Sequence, residues 1–232
     1  MHIPGPLLPA TFIRRDNRFR ATVELNREPV AVHVPNSGRL HELFVPGRKV
    51  LIRPVDKPHR KTRYDLVMVW ADGVLVSLDS RLPGPLLAEA VRAGRLAEFA
   101  GYHTVREEVP LGHSRIDVLL EGEPGQCWIE AKSVTLVEEG TAYFPDAVTA
   151  RGKRHVEELA AALEQGVCAA IIFVVQREDA ERFRPHDASD PAFGRALRLA
   201  AEQGVKVRAY RCRVQPDEIQ IDREIPVILD EE

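Results

Sequence analysis

Asp117, Glu130 and Lys132 are charged residues inside runs that otherwise read as strands, SRIDVLL and WIEAKSVTL. Strand periodicity puts Glu130 and Lys132 on one face, two residues apart, and turns Ala131 to the other. The intervening EGEPGQ reads as a hairpin turn, which brings Asp117 beside Glu130. Two carboxylates at close range repel, and burying them is costly unless a cation joins them. A hard divalent ion with oxygen ligands meets that need, so the expected cofactor is Mg²⁺ or Mn²⁺ held by Asp117 and Glu130. An ammonium group beside such an ion can orient an attacking water or offset charge growing on a phosphoryl group, which is the part expected of Lys132. The chemistry these three residues point to is phosphodiester hydrolysis. Taken alone, E-x-K is a common tripeptide whose ordinary role is an edge-strand ion pair, with Asp117 capping a turn. The surrounding elements decide between the two.

Those elements change character near Ser80. Residues 1–80 carry short apolar or alternating runs (FRATVELN, PVAVHVPN, RKVLIRPV, DLVMVWAD, GVLVSLDS) separated by turn-forming pieces. About five short strands without a helix predict a small all-β barrel of the OB type, a pattern that SH3-like barrels share. Residues 81–232 read differently. PGPLLAEAVRAGRLAEFAGY has helical apolar spacing with Pro85 in the first turn and Gly101 as its stop. Three strand candidates follow, then a helix from about Thr149 to Gly166, the unbroken apolar run CAAIIFVVQ, a helix in PAFGRALRLAAEQG and a strand in VKVRAYRCRV. This order predicts an α/β domain with a mixed central sheet.

The net charge of −3 is unevenly placed: residues 1–80 hold 13 Lys and Arg against 8 Asp and Glu, leaving 19 against 27 for the rest. A polyanionic partner is expected on the first domain. Two stretches there could grip phosphate. One is the PNSGR turn, with Asn36, Ser37 and Arg39 and with exposed amides around Gly38, although Asn and Gly also suit a plain hairpin turn. The other is HRKTRY, with Arg60, Lys61 and Arg63, which would equally serve as a solubilising loop. In the second domain Arg151, Lys153, Arg154 and His155 crowd a helix start, where cations are unfavourable unless an anion is near. Of these, His155 and Arg151 extend the buried face toward the acidic pair. Tyr143, Pro145 and Asp146 receive no role from spacing, Asp146 being a turn residue or a further ligand.

The three cysteines, Cys127, Cys168 and Cys212, are far apart and match no disulfide or zinc framework, so buried reduced thiols are expected. No apolar run approaches the roughly 20 residues needed to span a bilayer, and MHIPGPLLPATF lacks the build of a signal peptide, which predicts a cytoplasmic protein without membrane contact. Nothing fixes the oligomeric state, a homodimer included. No phosphate loop of the P-loop or dinucleotide type is present.

An Asp, a short hairpin and E-x-K, set between helices and followed by a buried strand, resemble the PD-(D/E)xK nuclease core over roughly residues 86–175. That core often adds a helical Glu, a role the resemblance implies for Glu98, with Glu89, Glu107 and Glu108 as alternatives. More specifically, VPNSGRL, HSRIDVLL, WIEAKSVTL and YFPDAVTARGKRHVEEL, in this order, resemble the sugar fermentation stimulation protein A family over nearly the whole chain. That resemblance implies an OB-like domain followed by a nuclease-like domain, nonspecific binding to DNA, and metal-dependent cleavage of DNA or RNA. Its alternative is a nonenzymatic DNA-binding regulator of sugar (maltose-type) metabolism genes.

Overall fold

The computed structural model describes residues 1–112 and 114–230. Strands β1 (Leu8–Asn17), β2 (Arg20–Leu25), β3 (Glu28–His33), β4 (Lys49–Pro54) and β5 (Tyr64–Ala71) form a barrel in the order β3-β2-β1-β4-β5, closed where His33 meets Asp65. This is the OB-type closure expected. The strand β6 (Val74–Ser77) extends it as a hairpin on β5. Side chains such as Phe12, Val23, Val32, Ile52, Leu66 and Val69 fill the interior. Each full burial of such a group stabilises the fold by roughly 1.5–3 kcal/mol.

The second unit has a mixed sheet built from β7 (Tyr102–Leu111), β8 (Ser114–Gly122), β9 (Gly125–Val134), β12 (Cys168–Val175), β14 (Lys206–Val214) and β15 (Ile219–Ile225). Strands β7, β8 and β9 form an antiparallel meander, and β9, β12 and β14 run parallel. Helix α1 (Pro83–Arg92) covers one face, while α2 (Ala150–Ala162) and α3 (Pro191–Gln203) cover the other. With both faces covered, CAAIIFVV on β12 has no reason to alternate. A small sheet of β10 (Leu136–Glu138), β11 (Thr141–Phe144) and β13 (Arg182–Pro185) was not evident in the sequence.

Two expectations need correction. The first helix ends at Arg92, because Gly94 takes φ +66 and the chain turns there; Ala97–Phe99 is a separate 3₁₀ turn. The cysteines are not all free thiols. Cys127 and Cys168 face each other in the β9–β12 register and are joined as a disulfide, which a sequence separation of 41 concealed, while Cys212 is a buried thiol.

The two units meet over an apolar and polar seam. Val67, Met68 and Leu75 of the barrel join the core beneath α1, as does Ile3. Gln176 crosses the seam, accepting from the Ser77 hydroxyl at 3.1 Å and donating to the Asp79 carbonyl at 3.1 Å and the Ser133 hydroxyl at 2.8 Å. No described helix is long and apolar enough to cross a membrane.

Candidate metal-binding cleft

The strand pattern that keeps Ile129 and Ala131 in the core under α1 turns Glu130 and Lys132 toward α2. The β8–β9 ladder stops at Val118–Ile129, and Asp117 takes over by accepting the Ala131 amide at 2.8 Å through Oδ2. This anchor holds the aspartate beside Glu130. Gly84, in the first turn of α1, lets that helix sit close: a β-carbon there would lie 3.2 Å from Cβ of Asp117.

Glu130 is only 4% exposed, and its two oxygens differ. Oε1 accepts from Lys132 Nζ at 2.6 Å and from His155 Nδ1. Oε2 is buried and has no hydrogen-bond partner. Arg151 donates through Nε to His155 Nε2 at 3.2 Å, which fixes the imidazole with its proton on Nδ1, toward Glu130. Lys132 Nζ and His155 Nδ1, 3.4 Å apart, are then both donors to one oxygen and not partners of each other.

The electrostatics follow from this bonding. Burial alone would raise the Glu130 carboxyl, but the His155 hydrogen bond and the Lys132 charge outweigh it and hold it below the usual range. Asp117 receives less help. Burial and then the charge of Glu130 push its carboxyl up to about 7, against the Ala131 hydrogen bond and Lys132. An unsatisfied buried oxygen next to a carboxyl that resists ionisation is the pattern a cation would relieve. Among the described residues no three His, Cys, Asp or Glu side chains converge as a ready metal cage. Asp117 and Glu130 therefore offer two carboxylates, which is the number Mg²⁺ commonly takes while keeping several waters.

This cluster lies in a cleft of about 460 Å³ between the two units, lined also by Arg18 and Ser37 of the barrel, Arg81, Glu108, Tyr143 and Arg151. A larger hollow of about 820 Å³ between α2 and α3 lacks the cluster and is lined by residues such as Ala160, Ala196 and Leu199. The cleft is the better candidate because it holds the buried, unpartnered carboxylate oxygen of Glu130 beside Asp117.

The structure sorts the remaining site residues. Glu98 lies in the 3₁₀ turn that leads to Gly101, which packs against Pro124 at the far hairpin end, so it does not reach the cleft. Glu89 is bonded to the Met1 amino group and Arg95, and Glu107 to Arg92. Glu108 does line the cleft. Arg151 and His155 are in the cluster, whereas Lys153 pairs with Glu157 and lines the hollow between α2 and α3.

On the barrel, Asn36 lines the cleft and is bonded within its own unit: its amide donates to the Leu78 carbonyl at 3.0 Å and its oxygen accepts the Gly38 amide at 2.8 Å. The Arg39 amide donates to Asp146 Oδ2 at 2.7 Å, so a carboxylate of the second unit already holds the anion position expected there. A β-carbon on Gly38 would overlap that oxygen. Ser37 lines the cleft, and Arg39 is exposed beside it. Arg60 is committed to Asp65 at 2.5 Å, which Arg53 also contacts, while Lys61 and Arg63 are exposed. Arg18, Arg81 and the bond made by Asp146 were missed. Arg81 sits in a short-range signal, since it clamps Asp79 two residues away.

Residues 13–78 match the family model described as the SfsA N-terminal OB domain, and residues 81–218 match the sugar fermentation stimulation protein RE domain. A sugar fermentation stimulation protein homolog from Geobacter metallireducens is 46% identical over 232 residues, covering 99% of this chain and 100% of the relative. A homolog from Acetivibrio thermocellus is likewise 46% identical, with the same coverage. A solved structure described as Pyrococcus furiosus SfsA in complex with Ca²⁺ is 32% identical, covers 98% of each chain and has a TM-score of 0.89.

Proposed function

This chain belongs to the sugar fermentation stimulation protein family, and from that premise we propose that it is a metal-dependent nuclease that binds DNA or RNA across the cleft. The observation that carries this reading is the unpartnered buried Oε2 of Glu130 beside Asp117. Asp117 and Glu130 would hold Mg²⁺ or Mn²⁺, which when bound supplies Lewis-acid activation of a phosphoryl oxygen and a more acidic water. The Ca²⁺ complex of the Pyrococcus furiosus relative supports a hard oxygen-seeking ion in this family.

The chain's own residues supply the rest. His155 and Lys132 fix the carboxylate of Glu130 through Oε1 and leave Oε2 without a partner. Arg151 keeps the His155 proton on the Glu130 side. Lys132, 12% exposed at its side chain, has an ammonium that can offset charge growing on the scissile phosphate. Arg18 and Arg81 line the same cleft and give the flanking phosphates cationic neighbours.

A nonenzymatic nucleic-acid-binding regulator is the second reading, favoured by one observation: Lys132 is ion-paired to Glu130 at 2.6 Å, the ordinary role of E-x-K on a strand. Purified full-length protein incubated with labelled single- and double-stranded DNA and RNA, with Mg²⁺, Mn²⁺ or EDTA, separates the two. Cleavage that appears with the ion and stops with EDTA is the expected result. Binding without cleavage under every ion and substrate would leave the regulator.

A further inference from the structure

The loop between β1 and β2 puts Arg18 and Phe19 at the tip of a hairpin, where the chain ordinarily uses Asn or Gly for their backbone freedom. Phe19 is 50% exposed, so core packing does not explain an aromatic ring there. Its setting is ordered. The Phe19 carbonyl accepts from the Val34 amide at 2.9 Å, the His33 ring lies 28° from the Phe19 plane at 6.4 Å, and the Arg18 guanidinium rests 5.7 Å over the Phe19 ring. Arg18 is held in turn by the Ser37 carbonyl at 2.9 Å through Nε.

The row His33, Phe19, Arg18 therefore runs along the barrel surface and ends in the cleft that holds Asp117, Glu130 and Lys132, since Arg18 lines both. Cations flank it at each end. Arg15, Arg39 and His41 surround the adjoining hollow beside Arg18. At the other end the His33 backbone pairs with that of Asp65, whose carboxylate is matched by Arg53 and Arg60, and the exposed Lys61 and Arg63 stand in the loop that leads into that strand.

We infer that Arg18, Phe19 and His33 form a stacking platform for unpaired bases, so that nucleic acid passes from the barrel to the acidic cluster as a single strand. Flat π-faces flanked by cations suit bases and phosphates together, and the faces of bases are free only when the strand is unpaired. A duplex presents phosphates to the same cations but hides its base faces. The inference rests on the nucleic-acid reading above and gives it a strandedness.

The test uses the full chain in EDTA, which keeps cleavage out of the measurement. Anisotropy is read for a labelled single strand of about 12 nucleotides and for the duplex of the same sequence, within the site size of such barrels. Phe19→Leu keeps an apolar side chain and removes the ring. It should weaken single-strand binding by about tenfold and change duplex binding by less than about twofold, as expected for one lost stacked base. Phe19→Trp, which enlarges the ring, should hold or raise single-strand affinity. Equal loss on both ligands in Phe19→Leu, no loss on the single strand, or a loss in Phe19→Trp as large as that in Phe19→Leu would each overturn the platform. Wild type that binds the duplex alone overturns the platform and leaves the nuclease reading standing. Wild type that binds neither ligand, in EDTA or in Ca²⁺, overturns both.

Discussion

At the floor of the cleft Glu130 is held by neighbouring side chains, whereas in the β4–β5 loop of the barrel two basic side chains face water. Glu130 is gripped by Lys132 and His155, and His155 by Arg151. Lys61 and Arg63, in the β4–β5 loop, are exposed. Burial makes an unmatched charge expensive, so the residues around Glu130 are tied to a single arrangement; exposure makes a charge cheap, and many arrangements serve equally. Substitutions at the two places should therefore differ in size and in kind. Changes in the cleft should act on one step, and changes on the loop should act on affinity in proportion to the charge removed.

The largest effect is expected at Lys132. Lys132→Met keeps the aliphatic stem and removes the ammonium, and cleavage should fall by roughly 10²–10³-fold, or about 3–4 kcal/mol in the barrier, with nucleic-acid affinity nearly intact. Single-turnover cleavage and binding on one substrate at one salt concentration check it. A mutant that cleaves at the wild-type rate would reduce Lys132 to an ion-pair partner and erase the contrast with the barrel.

A second, smaller effect sharpens it through pH. The Asp117 carboxyl stands at about 7 in the folded chain, above its ordinary value of 3.8, because of burial and Glu130. Between those values the folded state keeps a proton that the unfolded state has released, so without metal this group's contribution to stability declines as pH rises through that window. A bound ion replaces the proton. Mn²⁺ affinity should then climb by up to about tenfold per pH unit until about pH 7 and level off above it. Calorimetric titration from acid to neutral pH reads this directly; a flat profile would mean that Asp117 is not a ligand.

The smallest effect belongs to the loop. Replacing Lys61 and Arg63 together by Ala should lower the slope of log affinity against log salt by roughly 1.4 on a single strand and roughly 1.8 on a duplex, with little change in metal-dependent cleavage at saturating substrate. An unchanged slope would show that the loop only solubilises the barrel.

The same contrast explains what could be read from the sequence. Glu130 and Lys132 share a face because strand spacing requires it, and EPGQ fixes the hairpin that returns the chain toward Asp117. The barrel and the mixed sheet were legible for the same reason, through local periodicity and turn residues. Glu98 was misplaced because apolar spacing runs on through Leu96 and Phe99, although Gly94 carries the stop. The pairing of Cys127 with Cys168 and the bond from Asp146 to the Arg39 amide depend on register and on docking between units, to which no local pattern refers. Nor does a run of exposed cations reveal that Arg60 answers to Asp65 while its neighbours do not.

Ile3 is seated in the core beneath α1, Leu8 begins the barrel, and after β6 the chain returns to α1. The barrel is thus an excursion that leaves and rejoins the same body. A module on one tether can swing freely, but one moored at two points is limited to pivoting about the line between its moorings. Here Val67, Met68 and Leu75 block that pivot as well, because they are buried in the core of the second body, so the walls of the cleft are locked and severing residues 4–7 would remove one mooring without detaching the barrel.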